Sequence, residues 1–145
     1  MGCVIMTDMA TCMRVHSAAP HPALVLAADG DVQAAGRLCA LLERLGMPAL
    51  ALADAEAALV HCRRDMPRVL LVSAGRNSAD EAERFIARLQ RLSHVEASVI
   101  IACLKDRDPA LATALIMAGA HDCLCAPLDS ETLAWKLRLA GLETE

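Results

Sequence analysis

Aromatic residues are almost missing from this chain. Among 145 residues there are one Trp, one Phe and no Tyr, 1% of the total. A 56% hydrophobic fraction must then rest on Ala, Leu, Val, Ile, Met and Cys, and exposed rings on which nucleobases stack are not to be expected. Basic clusters are equally scarce. The formal net charge is −4, and no cluster exceeds the short HCRR at 61–64, which argues against a phosphate-backbone footprint. No apolar run approaches the roughly 18–20 residues of a membrane helix. No cationic segment precedes a long apolar one, so no signal peptide is read. The opening MGCVIMT carries Met6 where a myristoylation signal needs Ser or Thr. A disulfide framework is missing too. The 7 cysteines are odd in number and lie mostly in apolar runs, as befits reduced, buried thiols of a cytoplasmic protein. Finally, DGDVQAAG (29–36) lacks the G-x-G-x-x-G spacing, which makes a dinucleotide enzyme the weakest reading.

What is present is regular from residue 22 onward. Residues 1–21 are expected to be a loosely ordered leader, and residues 22–145 one domain. Short apolar runs alternate with helical periodicities. The strands are expected at ALVLAA (23–28), ALALA (49–53), RVLLVS (68–73), SVIIAC (98–103) and DCLCA (122–126). The helices are expected at 32–46, 54–64, 79–92, 110–119 and 130–142. Asp31 suits the first N-cap and Gly46 the first C-terminal stop. Asp108 with Pro109 suits the start of the fourth helix, and Ser130 that of the fifth. AGRNS (74–78) reads as loop. RVLLVS has few polar interruptions, the mark of a strand covered on both faces. Five strand–helix units with short connections predict an α/β fold: a five-stranded parallel sheet, doubly wound, with helices on both faces. The functional crevice of such a fold lies at the C-terminal strand ends, so the loops from Asp29, Ser73, Cys103 and Cys125 carry the chemistry.

The order and content of residues 23–142 resemble the flavodoxin-like receiver domain of two-component response regulators. The resemblance rests on LVLAADGD (24–31), ALLERLG (40–46), PRVLLV (67–72), SVIIAC (98–103) and above all AGAHDCLCAPLDSETL (118–133). It implies a phosphoacceptor carboxylate after the third strand and two acids after the first, which together hold Mg²⁺ through oxygen ligands. It further implies a Ser or Thr after the fourth strand and a Lys before the proline after the fifth, both answering phosphoryl charge. Position by position, Asp29 matches one acid, Gly30 stands where the second would be, and Asp31 follows. Ser73 holds the phosphoacceptor position, Cys103 the Ser/Thr position and Ala126 the Lys position. A serine without an adjacent base is a poor nucleophile, and it cannot form an acyl phosphate.

The resemblance therefore implies a degenerate, stand-alone pseudo-receiver without an output domain: no enzyme, with no cofactor beyond weak residual Mg²⁺ at Asp29 and Asp31. Its partners would be a histidine kinase, a response regulator or an effector, in a bacterial phosphorelay. Receivers commonly pair through the face of the fourth helix, fifth strand and fifth helix. Here the fourth helix ALATALIMAG carries no charge and the fifth bears the only Trp. Ala114, Met117, Trp135, Leu139 and Leu142 are the expected interface, and a homodimer is expected. A rival reading is a small-molecule or redox sensor using the crevice at Ser73, Cys103 and Ala126, with Cys103 the better candidate for an accessible thiol. Another is a residual phospho-receiver. Cys123 and Cys125 share one strand face and read as buried small apolar residues, because no second Cys/His pair completes a zinc set. His61, His94 and His121 are isolated and receive no role.

Overall fold

The computed structural model describes residues 22–141. The leader expected over 1–21 lies outside them, as does Leu142. The described residues form β1 (Ala23–Ala27), α1 (Val32–Arg44), β2 (Ala49–Leu52), α2 (Ala55–Arg64), β3 (Val69–Ala74), α3 (Ala79–Leu89), β4 (Val99–Leu104), α4 (Pro109–Ala118), β5 (Asp122–Cys125) and α5 (Ser130–Leu139). All strand pairs are parallel, in the order β2-β1-β3-β4-β5. This is the flavodoxin-like order, with its switch point between β1 and β3.

The burial pattern explains why the strands read as continuous apolar runs. Every residue of β1, β3 and β4 is buried, because helices cover both faces. Alternation divides each strand between two layers. Leu24, Leu26, Leu70, Val72, Ile100 and Ala102 meet α2, α3 and α4. Val25, Leu71, Ile101, Cys103 and Leu124 meet α1 and α5. The outer strands are less enclosed, and Cys125 at the end of β5 is exposed. The expectation that both cysteines of β5 are buried therefore fails at Cys125. Cys123, half-buried, packs beside α4 and gives its thiol to the Ala112 carbonyl at 3.6 Å.

Local signals set the helix starts. Asp31, Asp54 and Asp108 each accept an N–H of the first turn, removing one of the donors a helix leaves unpaired. For α5 the cap is Asp129, not Ser130: its carboxylate accepts Thr132 N–H at 2.7 Å and the Thr132 hydroxyl at 3.2 Å. AGRNS is not plain loop either. Ala74 closes β3, and Arg76–Ser78 makes one 3-10 turn in which Ser78 Oγ accepts Gly75 N–H at 2.9 Å.

Candidate functional site

β1 delivers the chain into a tight turn at the carboxyl end of the sheet. Gly30 donates to the Ala27 carbonyl at 2.9 Å and has φ +77°, a backbone region that favours glycine. The acids flank it. Asp29 Oδ1 accepts Asp31 N–H, and Asp31 Oδ1 accepts Ala34 N–H, both at 3.0 Å. One oxygen of each carboxylate is thus committed to the backbone. The other two converge on a residue that sequence reasoning passed over. Lys105, the first residue after β4, places Nζ 3.0 Å from Asp29 Oδ2 and 2.7 Å from Asp31 Oδ2. The Asp31 contact has hydrogen-bond geometry, and the Asp29 contact is an ion pair. The Lys105 hydrogen bond, helped by Ala34 N–H, holds the Asp31 carboxyl below the usual carboxylate range. The same hydrogen bond to Asp31 raises the Lys105 ammonium.

The positions singled out in the sequence meet beside this cluster. In the ladder Ser73 stands between Ala27 and Cys103. Ser73, Cys103, Ala126, Asp31 and Lys105 line one cavity of about 570 Å³. Ala126 donates its N–H to the Leu104 carbonyl at 2.9 Å and enters a cis bond to Pro127. The expected accessibility of Cys103 is not found: it is only 3% exposed, and burial pushes its thiol up to about 12. A thiol so poorly ionised is a weak nucleophile and a weak redox sensor, so the redox branch of the sensor reading loses its residue.

No protein-family model matches the chain, and no curated protein matches it. Solved structures do. A candidate response regulator of Chloroflexus aurantiacus is 19% identical, with 84% of this chain and 98% of that one covered and a TM-score of 0.71. The chemotaxis response regulator CheY4 of Vibrio cholerae is 17% identical, with 84% and 99% covered and a TM-score of 0.67. A CheY-like protein, TadZ, of Pseudomonas aeruginosa is 18% identical, with 83% and 100% covered and a TM-score of 0.65. The chain has the receiver fold.

The receiver fold raises the question of Mg²⁺, and the residues present do not fit it. Mg²⁺ demands near-octahedral oxygen coordination. Here the two outward carboxylate oxygens share one ammonium, and the third strand offers the hydroxyl of Ser73 instead of a carboxylate. Lys105 supplies within the chain the positive charge that a metal would bring. Its signal in the sequence was slight: one lysine in LKDRDP, directly after a strand end.

The face expected as an interface surrounds the edge strand β5. Trp135 and Leu139 lie one turn apart on α5, 54% and 63% exposed. Lys136 pairs with Asp122 of β5 at 2.8 Å, its ammonium 6.0 Å from the Trp135 ring. On α4, the bond from the Cys123 thiol to Ala112 marks the side that meets β5. Ile116 is one turn further on, about 40° round the helix, and Ala114 is about 200° round. Half-buried Ala114 therefore faces away from β5, and the strongly exposed Met117 points outward. Helix geometry puts Ile116, 44% exposed, nearest that side among the exposed apolar residues of α4; it was not among the expected interface residues.

Proposed function

We propose that this domain is a pseudo-receiver: a cytoplasmic, non-enzymatic signalling module of a two-component system that acts by protein–protein contact without aspartyl phosphorylation. One observation carries the reading. The acid pair that would hold Mg²⁺ is bridged by Lys105 at 2.7 and 3.0 Å. Ser73 and Ala126 at the phosphoacceptor and lysine positions agree with it. Phosphoryl transfer depends on positioning and charge compensation by metal and lysine, and both are replaced. The test is acetyl phosphate, and separately beryllofluoride, each with Mg²⁺. The expected result is no phosphoryl adduct by mass spectrometry and no change in the amide NMR spectrum around Ser73, Lys105 and Ala126. A specific adduct, or saturable shifts at those amides, would overturn the proposal.

Its contact surface is the face of Ile116, Trp135 and Leu139, through which it pairs with a second copy and engages a histidine kinase, response regulator or effector. These exposed apolar side chains flank an edge strand, and buried aromatics commonly anchor protein interfaces. Trp135→Ala and Ile116→Glu should each weaken self-association at least about tenfold, roughly 1.4 kcal/mol, by light scattering across a dilution series. A monomeric parent protein sinks the homodimer; unchanged association in both variants sinks the face.

A further inference from the structure

The cavity at the strand ends is about 570 Å³, inside the range of pockets that hold small organic molecules. Its floor is the sheet, where Ser73 and Cys103 stand side by side. Its walls are α1, through Leu38 and Leu41, and the turn after β5, through Ala126 and Leu128. Most of that surface is aliphatic. A lysine at position 126 would send its side chain from this wall; alanine leaves the space open.

Two further features say what the cavity would take. The first is charge. α1 brings Arg37 and Arg44 to the lining, and among the described residues neither forms an ion pair or a side-chain hydrogen bond. Lys105 and Asp31 also line it, and Lys105 is shared between Asp31 and the neighbouring Asp29; Arg37 also acts on the Asp31 carboxylate through space. The three cations Arg37, Arg44 and Lys105 thus stand against two carboxylates, and the net charge around the cavity is positive. The two arginines are seven residues apart, so they sit about 10.5 Å apart along the helix axis on nearly the same face. The second feature is the Ser73 hydroxyl. Ser73 lines the cavity, and its hydroxyl can hydrogen-bond an oxygen of a bound molecule. The buried thiol of Cys103 stays uncharged beside it and does not repel an anion.

We propose that this cavity binds a small amphipathic anion: an organic acid or phosphate monoester whose apolar body lies along Leu38, Leu41, Ala126 and Leu128 while its charged head pairs with Arg37 or Arg44. The guanidinium fork suits carboxylate and phosphate alike. The site is a ligand input independent of phosphorylation, and it goes beyond the pseudo-receiver reading.

The test is an amide NMR titration of the full chain with octanoate, octyl phosphate and octylammonium. The expected result is saturable one-site binding of one or both anions, with shifts centred on Leu41, Ser73 and Leu128, and affinity at least tenfold above that of octylammonium. Arg37→Glu with Arg44→Glu, both exposed changes, should lower anion affinity at least tenfold. Ala126→Trp should fill the cavity and abolish binding, with thermal denaturation confirming that each variant folds. Equal binding of octylammonium, shifts that do not saturate or lie elsewhere, or binding unchanged by both variants would each overturn the site. A beryllofluoride response would sink the pseudo-receiver reading and leave this titration untouched, so the two failures are distinguishable.

Discussion

Replacing Phe85 by Ala should destabilise the domain by about 3–5 kcal/mol, the usual range for deleting a buried aromatic. For a domain of this length that lowers the thermal midpoint by roughly 10–20 °C. Phe85 is the only Phe of the chain and 1% exposed. It sits on α3 in the larger apolar layer, with Ile86, Leu89, Leu115 and the strand residues Leu70 and Ile100. No second aromatic shares the load, and the aliphatic neighbours are held by strand backbones that collapse poorly into a void. Urea unfolding gives the measurement, and exposed Glu83→Ala on the same helix, expected within about 0.5 kcal/mol of the parent, gives the control. A loss for Phe85→Ala below about 1 kcal/mol would mean that this layer is not packed around α3 as described.

The fold was legible because its signals are local. RVLLVS and SVIIAC carry the apolar continuity of doubly covered strands, and β3 and β4 are buried throughout. Asp31 and Asp108–Pro109 mark helix starts by chemistry that acts within one turn. Errors arose where two neighbours offered the same chemistry. In LDSETL both Asp129 and Ser130 can cap a helix, and the choice falls to whichever has extended backbone; Asp129, at φ −133° and ψ 161°, is that residue.

The site was legible only as a set of positions. Ser73, Cys103, Ala126 and Asp31 do converge on one cavity, because each was placed by its strand end. Lys105 was not found, because its partners lie 74 and 76 residues earlier and no local pattern declares such a pairing. Ile116 was not among the expected interface residues for a related reason. The periodicity of ALATALIMAG shows which residues are apolar, but only the contact between Cys123 and Ala112 shows which side meets β5. Cys125 lies in an apolar run and is nonetheless exposed, because it closes the short edge strand beyond the cover of the helices.

Thiol chemistry supplies the other large effect. Burial pushes Cys62 and Cys103 up to about 12. At pH 8 such a thiol is ionised about one part in 10⁴, whereas a free cysteine near 8.5 is ionised to roughly a quarter. Modification by iodoacetamide at pH 8, read peptide by peptide, should therefore run more than about a thousandfold faster at Cys103 and Cys62 in urea than in the native protein. Exposed Cys125 should be modified in the native protein long before either. Rapid native labelling of Cys103 would show an open, ionisable thiol and revive the redox reading. The same shifts have a thermodynamic consequence. Folded-state values above the unfolded value mean that the native chain retains protons the unfolded chain has released. The stabilisation is full below about pH 8.5 and is lost as pH rises from there toward about 12. Unfolding midpoints should fall across that window, and Cys62→Ala with Cys103→Ala should flatten the fall.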